Sequence, residues 1–156
     1  CFDFLNANDI LPSSEEAADW AIPSVVTAHY GPYEFMLAPK KDPMGIPVPL
    51  FNLVYHDCVV LPWLMDADQP QGDYMLYALL NGGAAYLNFE LEGEALSREV
   101  ERYRIVAQLQ EKVARSEMVR HEFLDAAGRR QKTVFGDGTE VEIDLDKSSY
   151  TIRYAG

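Results

Sequence analysis

Hydrophobic and polar positions change their spacing twice along this chain, and the changes divide it into three textures. The first part is mixed and short-ranged. Phe2 to Leu5 predicts a short strand running into a polar loop with Asn6, Asn8 and Asp9. Ser13, followed three residues later by Glu16, predicts a capped helix start, and that helix ends near Trp20. Ile22 to His29 is apolar and partly β-branched, a second strand. Residues 30–47 hold four prolines and two glycines and read as a long loop, of the kind that is often functional or mobile. A third strand is expected over Val48 to Val60, followed by a loop around 66–72.

The middle of the chain is helical. Asp73 to Leu80 predicts a short helix stopped by Asn81-Gly82-Gly83, and Ala84 to Phe89 a fourth strand. From Gly93 to Arg115, the apolar residues Leu96, Val100, Tyr103, Val106, Ala107, Leu109 and Val113 recur at steps that favour one helix face. Arg98, Glu101, Arg102 and Glu111 fall largely on the opposite, solvated side of that helix. After Glu117 the period drops to two. Met118 to Leu124, Gln131 to Phe135, Glu140 to Leu145 and Tyr150 to Tyr154 are strands, separated by turns rich in Gly and Asp. Val141, Ile143 and Leu145 alternate with Glu140, Glu142 and Asp144, so one face is buried and the other wet. The order predicts an α/β fold: partial (β/α) barrel units over residues 1–115, then an antiparallel β meander or sandwich portion over 116–156 that packs on what precedes it.

Composition narrows the function classes. The 156 residues carry 13 basic and 25 acidic side chains, a formal net charge of −12, which repels phosphate backbones and anionic lipid. Nucleic-acid and membrane partners are therefore not expected, and no stretch is long and apolar enough to span a bilayer. Cys1 and Cys58 make neither a disulfide framework nor a metal-ligand spacing, which leaves the compartment open with a lean to the intracellular. Cys58, inside an apolar run, reads as a small buried hydrophobe.

The candidate chemistry centres on residues 46–63, IPVPLFNLVYHDCVVLPW, where His56 and Asp57 interrupt an apolar run. Burying a charged pair is costly, so such a pair either lines a cleft at a strand end or locks that end by bonding nearby backbone. His29 ends the second strand as His56 is expected to end the third, and the two could share that cleft with Asp57. Tyr30 and Tyr33 in the Pro-rich loop are candidates for a pocket rim, Trp63 and Tyr55 for packing or stacking. Asp9, Asp3 and Glu34 are possible carboxylate partners for Asp57. His121-Glu122 reads as a charged pair on a strand edge, and Gly136-Asp137-Gly138 as a hairpin turn. No metal site, cofactor loop or nucleophile motif stands out.

Three stretches, VPLFNLVYHDCVVLPW (48–63), LLNGGAAYLNF (79–89) and EMVRHEFLDAAGRRQKTVFGDGTEVEIDL (117–145), resemble the C-terminal region of large bacterial barrel-type glycoside hydrolases. The resemblance is nearest to the group that includes the endo-α-N-acetylgalactosaminidases. It implies late barrel strands followed by the start of a β-sandwich, a carbohydrate ligand and no cofactor. It further implies that the principal catalytic carboxylates lie upstream, so that the chain alone is not expected to catalyse. Completion of the chain by self-association or by a preceding part is a further implication. On this view His56, Asp57, His29, Tyr30, Tyr33, Asp9 and Trp63 are the substrate-binding set, with Asp57 the one catalytic candidate. A non-catalytic α/β binding domain is the alternative.

Overall fold

The computed structural model describes residues 2–15, 18–29, 48–63, 65, 73–86 and 90–156. Helix α1 (Phe2–Asn6) leads to strand β1 (Ser13–Ser14), a 3-10 helix (Asp19–Ser24) and strand β2 (Thr27–Ala28). Helix α2 (Leu50–Tyr55), strand β3 (Pro62–Trp63), helix α3 (Tyr74–Leu80), strand β4 (Ala84–Ala85) and the long helix α4 (Gly93–Val113) follow. Strands β5 (Met118–Phe123), β6 (Arg130–Phe135), β7 (Glu140–Asp144) and β8 (Ser149–Arg153) complete the order.

The first four strands are two residues long, yet they hydrogen-bond in sequence order and in parallel. Ser13 pairs with Thr27 and Pro62 with Ala84, and a parallel bridge from Thr27 to Val60 joins the two pairs. The ribbon is continued by Val60 N–H donating to the Val26 carbonyl and Ala84 N–H to that of Leu61. Parallel neighbours need a crossover between them, and helical segments lie in the connections to β2, β3 and β4.

Three expectations are corrected here. Phe2 to Leu5 is helical, Ser13-Ser14 is a strand while the helix comes later at Asp19–Ser24, and the run expected as strand three holds helix α2 followed by a turn. The physical reason for the last is that α2 is inside-out. Asn52 and His56, four residues apart, face the interior at 1% and 7% exposure, while Leu50 and Val54 on the other side are 66% and 55% exposed. The predicted loops at 30–47 and 66–72 lie outside the described residues.

The C-terminal segment matches its pattern. Strands β5 to β8 form one antiparallel meander in chain order, with a register irregularity between Met118 and Arg120. Its inner face buries Met118, Phe135, Val141 and Ile143. Its outer face carries ion pairs such as Arg130–Glu142 at 2.7 Å and Lys132–Glu140 at 2.9 Å, which fit a solvated surface more than they stabilise it. His121, on this edge strand, is half-buried and engages Gln131 at 2.9 Å. Gly138, at φ 90°, completes the 136–138 turn, where Asp137 accepts from the Thr139 N–H.

Helix α3 is the centre of the core. Every residue from Tyr74 to Leu80 is buried, because this helix is covered on several sides by β3, α4 and the meander strands β6 and β7. Asp73 caps its start by accepting from the Met75 N–H at 2.9 Å. The meander therefore rests on α3, and on α2 through β5. Helix α4 buries Val106, Leu109 and Val113 and packs on α3 and β4.

Candidate functional site

Because the four short strands run parallel, their carboxyl ends share one edge and their amino ends the other. In barrel and open α/β architectures it is the carboxyl edge that carries ligands. His29 leaves β2 and Tyr86 leaves β4 on that edge, each with its N–H held by a neighbouring segment: His29 N–H donates to the Ser14 carbonyl at 2.8 Å and Tyr86 N–H to the Trp63 carbonyl at 3.0 Å. The side chains meet. His29 Nδ1 and the Tyr86 hydroxyl are hydrogen-bonded, with ring centroids 5.7 Å apart and planes tilted by 53°. Both residues are half-buried, so the pair offers polar atoms and aromatic surface together.

His56 and Asp57 lie at the opposite edge. They precede β3 and follow α2, so the expectation that they emerge from the carboxyl end of a strand is corrected. His56 Nδ1 donates to the Ser116 carbonyl at 2.7 Å, its Nε2 lies 3.4 Å from the Gly82 carbonyl, and its ring packs 5.0 Å from that of Phe135. It joins the end of α2, the end of α3 and the entry to the meander. Gly82, at φ 59°, has no room for a side chain, since a Cβ there would come within 2.5 Å of the imidazole. Beside the ring is a void of about 10 Å³ lined by Asn52, His56, Asn81 and Gly82 among others, large enough for no more than about one water molecule.

Asp57 is exposed and shares an open depression of about 320 Å³ with Val26, Cys58 and Arg115. Cys58 is exposed rather than buried as expected, and its Sγ donates to Asp57 Oδ1 at 3.4 Å. Desolvation, that hydrogen bond and the charges of Asp57 and Glu117 push its thiol up, away from the nucleophilic thiolate. His29 and His56, at opposite ends of the ribbon, do not share a cleft.

The other expected residues scatter. Trp63 is 1% exposed and presses on Gly83, so close that a Cβ there would lie 2.1 Å from its Cδ1; this packing leaves no ring face for a ligand. Asp9 is exposed in the turn after α1, upstream of β1, with φ 57°. Tyr30, Tyr33 and Glu34 lie outside the described residues. Tyr86 was the residue that sequence reasoning missed. The predicted strand ran from Ala84 to Phe89 and placed Tyr86 in its middle; only the observed end of β4 at Ala85 makes Tyr86 a strand-end residue like His29.

No family model and no curated protein matches the chain. Solved structures do. The ligand-free α-N-acetylgalactosaminidase NagBb from Bifidobacterium bifidum is 48% identical, with a TM-score of 0.86 over 97% of this chain and 25% of that one. Its GalNAc complex is 46% identical, with a TM-score of 0.87 over 98% of this chain and 26% of that one. Its complex with Gal-NHAc-DNJ is 46% identical, with a TM-score of 0.88 over 100% of this chain and 26% of that one. The chain thus spans about a quarter of the length of the structures it matches.

Proposed function

We propose that this chain, which belongs with the α-N-acetylgalactosaminidase-type glycoside hydrolases as a segment similar to one quarter of such an enzyme, lends the carboxyl edge of its parallel segments to a sugar pocket. In this reading residues 1–115 are consecutive late βα units of a barrel and 116–156 open the β domain that follows. Strands paired in parallel and in sequence order are what neighbouring barrel staves require. Phe4, Leu11, Trp20 and Leu50, at 66–76% exposure, supply apolar surface for the remainder of such an enzyme to cover.

The division of labour follows from the chemistry. Glycoside hydrolysis uses two carboxyl groups, about 5–5.5 Å apart for retention and about 6.5–9.5 Å for inversion. The pair brought together on the carboxyl edge is instead an imidazole and a phenol, groups suited to bonding sugar hydroxyls and an N-acetyl group and to lying along a pyranose face. The chain accordingly recognises, and the principal carboxylates lie upstream. Asp57, at the amino edge, takes no part in this pocket. The meeting of His29 and Tyr86 within a chain so similar to a GalNAc-binding enzyme is the observation that carries the reading.

Titration of the chain with N-acetylgalactosamine, followed by NMR, tests it. The His29 and Tyr86 resonances should move, and Tyr86→Phe should weaken the response about three- to ten-fold, as loss of one hydrogen bond does. N-acetylglucosamine, its C4 epimer, is the control. A response centred on Asp57, no response at His29 and Tyr86, or release of GalNAc from a glycoside by the chain alone would each defeat the reading.

A further inference from the structure

Arg102, expected on the solvated face of the long helix, turns inward. One of its terminal nitrogens, Nη2, donates to the Met65 carbonyl at 2.6 Å and to Asp73 Oδ1 at 2.6 Å, while Nη1 donates to Asp73 Oδ2 at 2.7 Å. The Glu99 carboxylate lies 3.5 Å from Nε. The Arg102 and Asp73 side chains are only 22% and 16% exposed, so this fork is shielded from screening in a way the surface pairs are not.

Each partner has a second task. Met65 is buried two residues beyond Trp63, whose carbonyl holds the N–H of Tyr86. Asp73 caps α3. One guanidinium therefore ties the exit of β3 to the entry of α3 from a helix that packs on β4. A lysine has the charge without the planar fork, so it cannot hold both carboxylate oxygens and the carbonyl in this arrangement.

We propose that Arg102 is a positioning residue for the carboxyl edge. It fixes the main chain leaving β3 and so the seat of Tyr86, on which the His29–Tyr86 pair depends. Its consequence for sugar binding rests on the carbohydrate reading of that edge; its consequence for the main chain does not.

Arg102→Lys and the control Arg104→Lys, whose partner Glu101 is in solvent, separate the two. In the 156-residue chain Arg102→Lys should speed amide exchange at Tyr86 about ten-fold, as loss of a charge-assisted bond would. Exchange at Leu79 and Val106 should not change, the His29 ring resonances should move, and the N-acetylgalactosamine dissociation constant should rise about five-fold. Arg104→Lys should do none of this. Should Arg102→Lys not fold, Asp73→Asn, which keeps an acceptor for the α3 cap, takes its place with the same expectations. Unchanged exchange at Tyr86, acceleration spread equally to Leu79 and Val106, or unaltered sugar affinity where the unmodified chain binds, would overturn the assignment. An unmodified chain that ignores the sugar would instead defeat the carbohydrate reading alone, and the exchange comparison would still decide the role of Arg102.

Discussion

His56→Ala separates a structural imidazole from a ligand-facing one. The substitution removes the donor to the Ser116 carbonyl and the ring packed on Phe135, and leaves the space between α2, α3 and the meander unfilled. A lost hydrogen bond is worth about 1 kcal/mol, and leaving the half-buried Ser116 carbonyl without this partner adds up to about 1 kcal/mol. The emptied ring volume adds a cavity cost, so a total of about 2–4 kcal/mol is expected. At this chain length that lowers the melting temperature by roughly 10 °C. Asp57→Ala, one residue away but exposed, should cost within about 0.5 kcal/mol. Urea unfolding of both variants measures the contrast, and His56→Asn, whose amide nitrogen can stand in for Nδ1, should recover part of the loss. Equal costs at the two positions, or a His56→Ala cost below about 0.5 kcal/mol, would refute the assignment of the imidazole to the junction.

Two further outcomes follow from packing and charge. Gly83→Ala places a Cβ 2.1 Å from Trp63 Cδ1 and 2.9 Å from the Leu61 carbonyl oxygen, so it should cost about 3 kcal/mol or prevent folding. Gly93→Ala, with φ 58° but nothing within 4 Å, should cost only about 1 kcal/mol, and comparable melting points would contradict this. Burial holds the His121 pKa below its ordinary 6.5 despite opposing help from Gln131 and Glu122, so the folded state binds its proton less well than the unfolded chain. Its contribution is present above pH 6.5 and is lost as pH falls below that value through the folded pKa, a slope that His121→Gln should reduce. A second loss should come below the usual carboxylate range. There Glu140, held down by Lys132, and Asp144, held down by the Lys147 N–H, finally take up protons. An unaltered acid slope in His121→Gln would remove His121 from this account.

Legibility in the sequence tracked how local the deciding forces were. The meander was readable because β7 alternates inward Val141 and Ile143 with outward Glu140, Glu142 and Asp144, and the turns carry their own Gly and Asp signals; β6 keeps the same period of two but buries Gln131 and Thr133 beside Phe135. Helix α4 was readable because its apolar stripe runs through several turns. Helix α2 was not, since a short apolar run has no distinguishing period and here its buried face is Asn52 and His56. The parallel strands, two residues each, are too short for any alternation to register, and their assignment depends on hydrogen bonds to partners far along the chain.

The amino-acid order by itself determined the local elements: the long helix, the short helix stopped by Asn81-Gly82-Gly83, the four-stranded meander and the acidic, water-facing character of the surface. Tertiary structure decided which ends of the parallel segments lie together, and with them the site. It moved His56 and Asp57 to the amino edge, joined His29 to Tyr86 across 57 positions of sequence, and turned Arg102 inward. Periodicity records which face of an element is buried, whereas edge and partner are set by pairing between segments that no local spacing encodes.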